Sequence, residues 1–240
     1  MIALGVPAES AEEPRIGLSP ETAKKLVKLG AKVSVRSGAG LRSHFSDNDY
    51  KAAGVDIVAT DADAVKDADI VLTVRRPPLA LVKSMKQGAM LIAMLDPYSD
   101  AEGLQALAKS GAALFAMELM PRISRAQSMD VLSSQANLAG YKAVVDAAAA
   151  FERALPMMMT AAGTVPAARV FVMGVGVAGL QAIATARRLG AIVTATDVRP
   201  ATKEQVESLG AKFIAVEDEE FQNAQTEGGY AKEMSKEYQA

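Results

Sequence analysis

The stretch ARVFVMGVGVAGLQAIATARRLGAIVTATDVR, residues 168–199, decides the fold of this chain. It begins with apolar β-forming residues at 170–173, which predict a buried strand. A helix is predicted next, because apolar residues recur at helical spacing until Gly190, a residue suited to a helix C-terminus. A second strand is predicted over 192–196, directly before Asp197. Strand, turn, helix and strand in this order predict a βαβ unit with a parallel sheet.

Three glycines lie between the first strand and the helix. Gly174, Gly176 and Gly179 have the spacing G-x-G-x-x-G. In dinucleotide-binding folds the first glycine permits the tight turn, the second lets the backbone approach a pyrophosphate, and the third lets the helix pack against the strand. The helix N-terminus then presents free N–H groups to the phosphates. The motif predicts a dinucleotide site, although a βα turn without a ligand can have the same spacing.

An acidic residue at the end of the second strand indicates which nucleotide binds. Asp197 lies about 20 residues after the first glycine, the separation at which an acid contacts the adenosine ribose. Its carboxylate can accept hydrogen bonds from both ribose hydroxyls and repels a 2′-phosphate, which favours NAD(H) over NADP(H). Arg199 leaves this preference open, because a nearby arginine can accommodate that phosphate.

The composition limits the classes of function. The chain has 240 residues, of which 50% are hydrophobic, as in one or two ordinary globular domains. The net charge of −2 gives no basic footprint for nucleic acid. With no cysteine and one histidine, His44, we expect no disulfide and no metal site. We also expect no signal peptide and no direct membrane insertion, because no run of about 20 apolar residues occurs.

A recurring pattern predicts the domain organisation. Helical segments end at a glycine and a strand follows, for example over 28–35 and 188–196. We therefore predict an α/β fold with two Rossmann-like domains, each with a parallel sheet. The N-terminal α/β domain is expected over 1–132, a long linking helix over 133–155, and the NAD(H)-binding domain over 156–240.

The second domain is expected to be incomplete in this chain. After the glycine motif only two more strands are predicted, over 192–196 and 213–216, whereas a full dinucleotide fold adds a second βαβαβ half. Met157 to Met159 lie at the start of this domain, and we interpret them as filler beneath its sheet. Between the domains, residues 121–129 are polar and carry two arginines. This segment is either a ligand site in an interdomain cleft or a solvated loop.

Several segments closely resemble the NAD(H)-binding alpha subunit of proton-translocating NAD(P) transhydrogenases. They are MELMPRISRAQSMDVLSSQANLAGY (117–141), PMMMTAAGTVPAARVFVMGVGVAGLQAIATARRLGA (156–191), DVRPATKEQVESLGAKFI (197–214) and GGYAKEM (228–234). The resemblance implies that this chain binds NAD(H) and exchanges a hydride with NADP(H) on a partner domain. It further implies a membrane-spanning component that couples the reaction to proton translocation. A homodimer on the cytoplasmic face of the inner membrane is also implied.

The same resemblance implies roles for individual residues. Those expected to contact the nicotinamide end of the nucleotide are Arg122, Ser124, Gln127, Asp130 and Ser133. Ile123 and Arg125 are expected to bind the nucleotide as well. The catalytic residues among them would be Gln127, Arg122 and Asp130. The pyrophosphate would be held by Gly174, Val175, Gly176, Val177 and Gly179. Asp197 would hold the adenosine ribose, and the neighbouring Val198 and Arg199 would also bind the nucleotide. A mobile loop with Gly229 and Tyr230 would close over the nucleotide.

A more distant resemblance is to the alanine dehydrogenase family, which shares the two-domain plan and Arg15. That family needs a lysine and a histidine at its substrate site, where this chain has Arg75 and Asp96. Oxidising an amine requires a group that takes up a proton, and an arginine cannot do so at neutral pH. Hydride transfer between two nicotinamides moves no proton. The missing pair favours transhydrogenation, while an NAD-binding module without catalysis remains an alternative.

Overall fold

The structure is a computed structural model that describes residues 1–121, 123–224, 232 and 234–236. The chain forms two compact units, Met1–Asp130 and Val131–Ala240. Among these described residues, no helix has the length and apolar character needed to cross a membrane.

The first unit is built on one parallel sheet with the strand order β3-β2-β1-β4-β5-β6. Its strands are β1 Ala3–Val6, β2 Lys32–Arg36, β3 Asp56–Val58, β4 Ile70–Arg75, β5 Met90–Met94 and β6 Ala113–Ala116. Its helices are α1 Pro20–Lys28, α2 Asp47–Ala52, α3 Asp61–Val65, α4 Leu79–Lys83 and α5 Ala101–Ala108, with 3₁₀ turns at Leu41–Ser43, Met117–Leu119 and Ser124–Met129. This strand order is that of a doubly wound dinucleotide fold.

Local sequence signals determine where the helices of this unit begin. Ser19 caps α1 by accepting a hydrogen bond from the Thr22 amide. Ser46 and Asp49 form a reciprocal capping box at the start of α2. Each cap satisfies amide groups that would otherwise lack a partner at the helix end. Both caps agree with the sequence pattern, since in each case serine precedes a first turn that contains an acidic residue.

The second unit contains the predicted βαβ stretch. A long helix opens it and a three-stranded parallel sheet follows in the order β11-β10-β9. Its elements are α6 Val131–Ala150, β7 Met158–Thr160, β8 Gly163–Val165, β9 Arg169–Met173, α7 Val177–Arg188, β10 Ile192–Thr196, α8 Thr202–Ser208, β11 Lys212–Phe213 and α9 Glu219–Gln222. The predicted α/β fold with two Rossmann-like domains and a long joining helix is confirmed. The helix ends earlier than the expected residue 155, and β11 is shorter than expected.

Helix α6 packs closely against α7, the helix that follows the glycine motif. A Cβ atom at Gly140 would lie 2.0 Å from the carbonyl oxygen of Ala178, so the two backbones meet where no side chain intervenes. Nearby, the Asn137 side chain donates through Nδ2 to Oε1 of the Gln181 side chain over 3.2 Å. Behind α7, the sheet and helices bury an apolar core that includes Ile183 and Val193. This packing holds the N-terminus of α7 in place.

The prediction that the methionine run fills the core is wrong. Met158 begins the strand of a short antiparallel hairpin, β7–β8, rather than lying beneath the parallel sheet. Met158 and Met159 are 50% and 72% exposed, and Met157 is also exposed. Three consecutive apolar residues cannot all face one side of a strand, because successive side chains point to opposite faces. Both faces of this hairpin are open within the described residues.

Candidate dinucleotide site

The glycine motif forms the predicted turn between β9 and α7. Gly174 has φ = 89°, which L-residues with a side chain rarely adopt, and its amide donates to the Thr196 carbonyl over 2.9 Å. A Cβ atom at Gly179 would lie 1.9 Å from the Gly174 carbonyl oxygen, so the helix start and the turn touch directly. At Gly176, by contrast, nothing lies within 4 Å of a Cβ position. The backbone there is open to an approaching group.

The loop is anchored on one side and exposes amide groups on the other. The Val175 side chain is buried in the core of the second unit, and its amide donates to Asp197 Oδ2 over 2.7 Å. Gly176 is the N-cap of α7 and has no side chain that could satisfy the first-turn amides. Amide groups at a helix N-terminus favour anions. These residues fit the pyrophosphate of a dinucleotide, with Val177 and Gly179 in the first turn.

Asp197 lies at the end of β10 with a side chain that is 7% exposed. Its Oδ1 accepts hydrogen bonds from the backbone amide and from Nε of Arg199, each over 2.9 Å. Its Oδ2 accepts from Arg199 Nη2 over 2.9 Å, besides the Val175 amide. Burial acts to raise the pKa of Asp197, but these hydrogen bonds outweigh it, so the pKa lies below its ordinary value. The carboxylate therefore stays charged at neutral pH.

The arginine-bearing segment near Gln127 forms a short 3₁₀ helix, Ser124–Met129, in the first unit. Ala126 is buried and anchors it, whereas Ile123, Ser124, Arg125 and Gln127 are exposed. Its end is closed by a hydrogen bond of 3.2 Å from the Asp130 amide to the Gln127 carbonyl. The 3₁₀ geometry directs polar side chains outward around one apolar anchor.

The expected site residues belong to two separate compact units. The residues from Ile123 to Asp130 belong to the first unit, whereas Ser133, in α6, and the glycine loop belong to the second. The structure brings Val175, Asp197 and Arg199 together. Val198 lies half-buried beside them. Three further residues, Arg122, Gly229 and Tyr230, lie outside the described residues.

A second acid–arginine cluster, which the sequence pattern did not indicate, occupies the first unit. The Glu13 side chain is 6% exposed, and its carboxylate accepts from Arg15 Nε and Nη2 at 2.6 Å each and from Arg75 Nε at 3.1 Å. The hydrogen bond from the Arg15 side chain, assisted by its backbone and by Arg75, lowers the pKa of Glu13 to about 2. Arg75 is thus paired with a Glu13 carboxylate that is ionised at neutral pH.

Asp96, the other residue that departs from the alanine dehydrogenase pattern, has different partners. Its amide donates to Glu118, and its carboxylate accepts from the Ser99 hydroxyl. It has a positive φ of 49° in the turn after β5. No hydrogen bond or ion pair joins it to Arg75 among the described residues. The two positions therefore do not form an acid–base pair with each other.

The parallel βαβ unit, the open glycine turn and the buried acid define a dinucleotide-binding protein of the Rossmann class. The family model described as alanine dehydrogenase/PNT, N-terminal domain, matches residues 5–139. The corresponding C-terminal domain model matches residues 143–236. The chain belongs to the alanine dehydrogenase/PNT family.

Relatives within this family differ in how similar they are to the chain. A subunit alpha polypeptide of the NAD(P) transhydrogenase of Rhodospirillum rubrum is 58% identical over 231 residues, covering 94% of this chain and 60% of the relative. The crystal structure of a transhydrogenase from Sinorhizobium meliloti has 60% identity and a TM-score of 0.87, covering 93% of this chain and 64% of that one. Alanine dehydrogenase 2 of Staphylococcus aureus is 33% identical, covering 86% of this chain and 56% of the relative. The chain thus spans about three fifths of these relatives.

Proposed function

We propose that this chain is the NAD(H)-binding component of a proton-translocating NAD(P) transhydrogenase. The observation that carries this proposal is the 58% identity to a transhydrogenase alpha subunit across 94% of the chain, against 33% to an alanine dehydrogenase. The partners would be an NADP(H)-binding component and a membrane-spanning component that couples the reaction to proton translocation. This chain would act as a homodimer on the cytoplasmic face of the inner membrane.

The chain's own residues would bind and orient NAD(H), whose nicotinamide ring carries the hydride. The open backbone at Gly176 and the first turn of α7 would hold the pyrophosphate. Asp197 would accept hydrogen bonds from the adenosine ribose. The exposed polar groups on the 3₁₀ helix, together with Asp130 and Ser133, would contact the nicotinamide end. Arg122, Gly229 and Tyr230 would complete the site.

No proton transfer to substrate is required of these residues. A glutamine amide such as that of Gln127 both donates and accepts hydrogen bonds but cannot titrate at neutral pH. Glu13 is also unsuited as a base, because its carboxylate is committed to Arg15 and Arg75 and its pKa is about 2. This chemistry suits transfer between two nicotinamides better than the oxidation of an amino acid.

The experiment is a hydride-transfer assay from NADH to an NADP⁺ analogue, with and without candidate NADP-binding and membrane partners. We expect transfer that depends on the partners. NADH oxidation that depends on pyruvate and ammonia would instead identify an amino-acid dehydrogenase. If NADH binds but neither reaction occurs with any partner, the chain is a binding module.

Gln127 provides a sharper test of the site. We expect Gln127→Asn to reduce single-turnover transfer on the order of 10²-fold, because a shift of about 1 Å in the reacting groups has an effect of that size. NADH affinity should change much less, since the pyrophosphate and adenosine contacts remain. Gln105→Asn, at an exposed position of α5, is the matched control. An unchanged rate would mean that Gln127 is a solvated surface residue.

A further inference from the structure

The Asp197 carboxylate is fully engaged by hydrogen-bond donors of two kinds. The amides of Val175 and Arg199 each donate to a different oxygen, over 2.7 Å and 2.9 Å. The guanidinium of Arg199 adds one further bond to each oxygen, through Nε and Nη2. An ionised carboxylate has about four acceptor positions. Two are therefore filled by backbone and two by one side chain.

These two kinds of donor differ in whether they can leave. The backbone amides are fixed, because Val175 is anchored in the core and Arg199 directly follows the strand end. The Arg199 side chain is 22% exposed and has a route to solvent. Rotation of that side chain would free one acceptor position on each oxygen. A ribose diol offers two neighbouring hydroxyl donors, which matches the two positions vacated.

We infer that the Arg199 guanidinium stands in for the adenosine ribose diol and that nucleotide binding exchanges one for the other. This inference rests on the proposed NAD(H) site at Asp197. Arg199 then keeps the carboxylate charged and oriented in the nucleotide-free protein. It also competes with every nucleotide that needs both acceptor positions. The apparent affinity is then the intrinsic affinity multiplied by the fraction of protein in which Arg199 does not occupy these positions.

The exchange makes Arg199 a determinant of nucleotide selectivity. Asp197 alone would repel the 2′-phosphate of NADP(H), but the paired side chains carry no net charge. Once displaced, the guanidinium lies near the ribose and can pair with a 2′-phosphate, whereas the NAD(H) ribose offers it no anion. Arg199 therefore opposes NAD(H) binding and assists NADP(H) binding. Arg199 thus reduces the preference for NAD(H) over NADP(H) that Asp197 creates.

Isothermal titration of this chain with NADH, NADPH and ADP-ribose tests the inference. We expect Arg199→Met, which keeps the apolar stem but removes the donors, to tighten NADH and ADP-ribose binding about fivefold, the order of one exchanged ion pair. NADPH should bind more weakly, so the preference for NADH increases by more than fivefold. Arg199→Lys should lie between the two, because an ammonium cannot span both oxygens.

A nucleotide analogue and a charge control separate this inference from general effects. An NADH analogue with 2′-deoxyadenosine needs only one of the two acceptor positions, so it should gain less from Arg199→Met. Lys203→Met removes a cation that pairs with Glu217 over 2.6 Å and makes no contact with Asp197. It should leave both affinities unchanged. Melting temperatures of all variants show whether each is folded.

Two results would overturn the inference. If Arg199→Met leaves the ratio of NADH to NADPH affinity unchanged in a folded variant, the guanidinium does not compete with the diol. If it weakens NADH as much as NADPH, Arg199 is an ordinary contact of the bound nucleotide. Failure of the proposed NAD(H) site would look different, because the unsubstituted chain would then bind neither NADH nor ADP-ribose. Failure of the proposed transhydrogenase role would show only in the hydride-transfer assay.

Discussion

Two buried acids, Glu13 in the first unit and Asp197 in the second, are each followed two residues later by an arginine. In both pairs the arginine amide and Nε donate to one carboxylate oxygen and Nη2 donates to the other. The fourth hydrogen-bond donor to the carboxylate differs between the two pairs. For Glu13 it is the side chain of Arg75, whereas for Asp197 it is the Val175 amide in the glycine turn.

That one donor distinguishes the Glu13 ion pair from the site that we propose at Asp197. Asp197 keeps a backbone hydrogen bond on each oxygen when its arginine leaves, so the guanidinium can be exchanged for a ligand. The Glu13 carboxylate accepts one hydrogen bond from the backbone, and its other hydrogen bonds come from the guanidinium groups of Arg15 and Arg75. Removing Arg15 leaves a buried carboxylate with most of its side-chain hydrogen bonds lost, which is costly. We therefore expect the same local sequence pattern to serve two purposes, structural at Glu13 and ligand binding at Asp197.

The largest expected effect is on nucleotide binding by Asp197→Ala. The loss of two hydrogen bonds to a charged group should weaken NADH binding on the order of 10²-fold, and NADPH binding by less. Glu13→Ala should leave both affinities unchanged. Titration calorimetry on the two variants checks this. Equal binding of NADH and NADPH by the unsubstituted chain would contradict the role of Asp197.

The second effect is on stability, and it concerns Glu13. We expect Glu13→Ala to reduce the free energy of unfolding by about 2 kcal/mol. This is less than the loss for a fully buried pair, because Arg75 is 62% exposed and can regain water. Urea titration measures it. The matched control is Glu21→Ala, which breaks the surface pair with Lys25 and should cause no measurable change. A similar loss in both variants would mean that the buried Glu13 carboxylate stabilises the fold no more than an exposed ion pair does.

The third effect is the pH dependence of that stability. The pKa of Glu13 is about 2 in the folded chain against an ordinary value of 4.5. Its contribution is therefore complete above pH 4.5 and is lost as the pH falls towards 2. The stability difference between the parent and Glu13→Gln should narrow over this interval. A difference that stays constant from pH 5 to pH 2.5 would show that the carboxylate charge does not cause it.

The smallest effect should come from Arg75→Met. Arg75 contributes one hydrogen bond of 3.1 Å to Glu13 from a largely exposed side chain. We expect a stability loss below about 1 kcal/mol and no change in nucleotide affinity. Thermal unfolding measures the loss. A loss as large as that of Glu13→Ala would mean that Arg75, and not Arg15, provides most of the stabilisation of the buried Glu13 carboxylate.

Local patterns were sufficient to predict the βαβ unit. The strand over residues 192–196 has the predicted bounds, because a run of β-forming residues is bounded by a helix cap at Gly190 and an acid at Asp197. The caps at Ser19 and Ser46 follow from short-range hydrogen bonds that sequence spacing encodes. These features depend on neighbours within a few residues.

Features that depend on distant contacts were not predictable. Glu13, in the loop after β1, contacts Arg75 at the end of the neighbouring strand β4, and nothing in their sequence separation indicates that contact. The spacing of Asp197 and Arg199 places the arginine nearby but does not reveal that its guanidinium donates to both oxygens of the carboxylate. The methionine run has no periodicity that distinguishes core from surface. In each case three-dimensional placement, rather than residue type, decides the role.

The exposed hairpin β7–β8 also gives the chain a chemical reporter. Thioethers open to solvent take up oxygen from peroxide readily, and methionine sulfoxide is polar where methionine is apolar. Met159 should oxidise well before the half-buried Met94 of β5, which serves as an internal reference. The ratio of the two sulfoxides, read by mass spectrometry of peptides, therefore measures how much of this hairpin any bound protein shields from solvent.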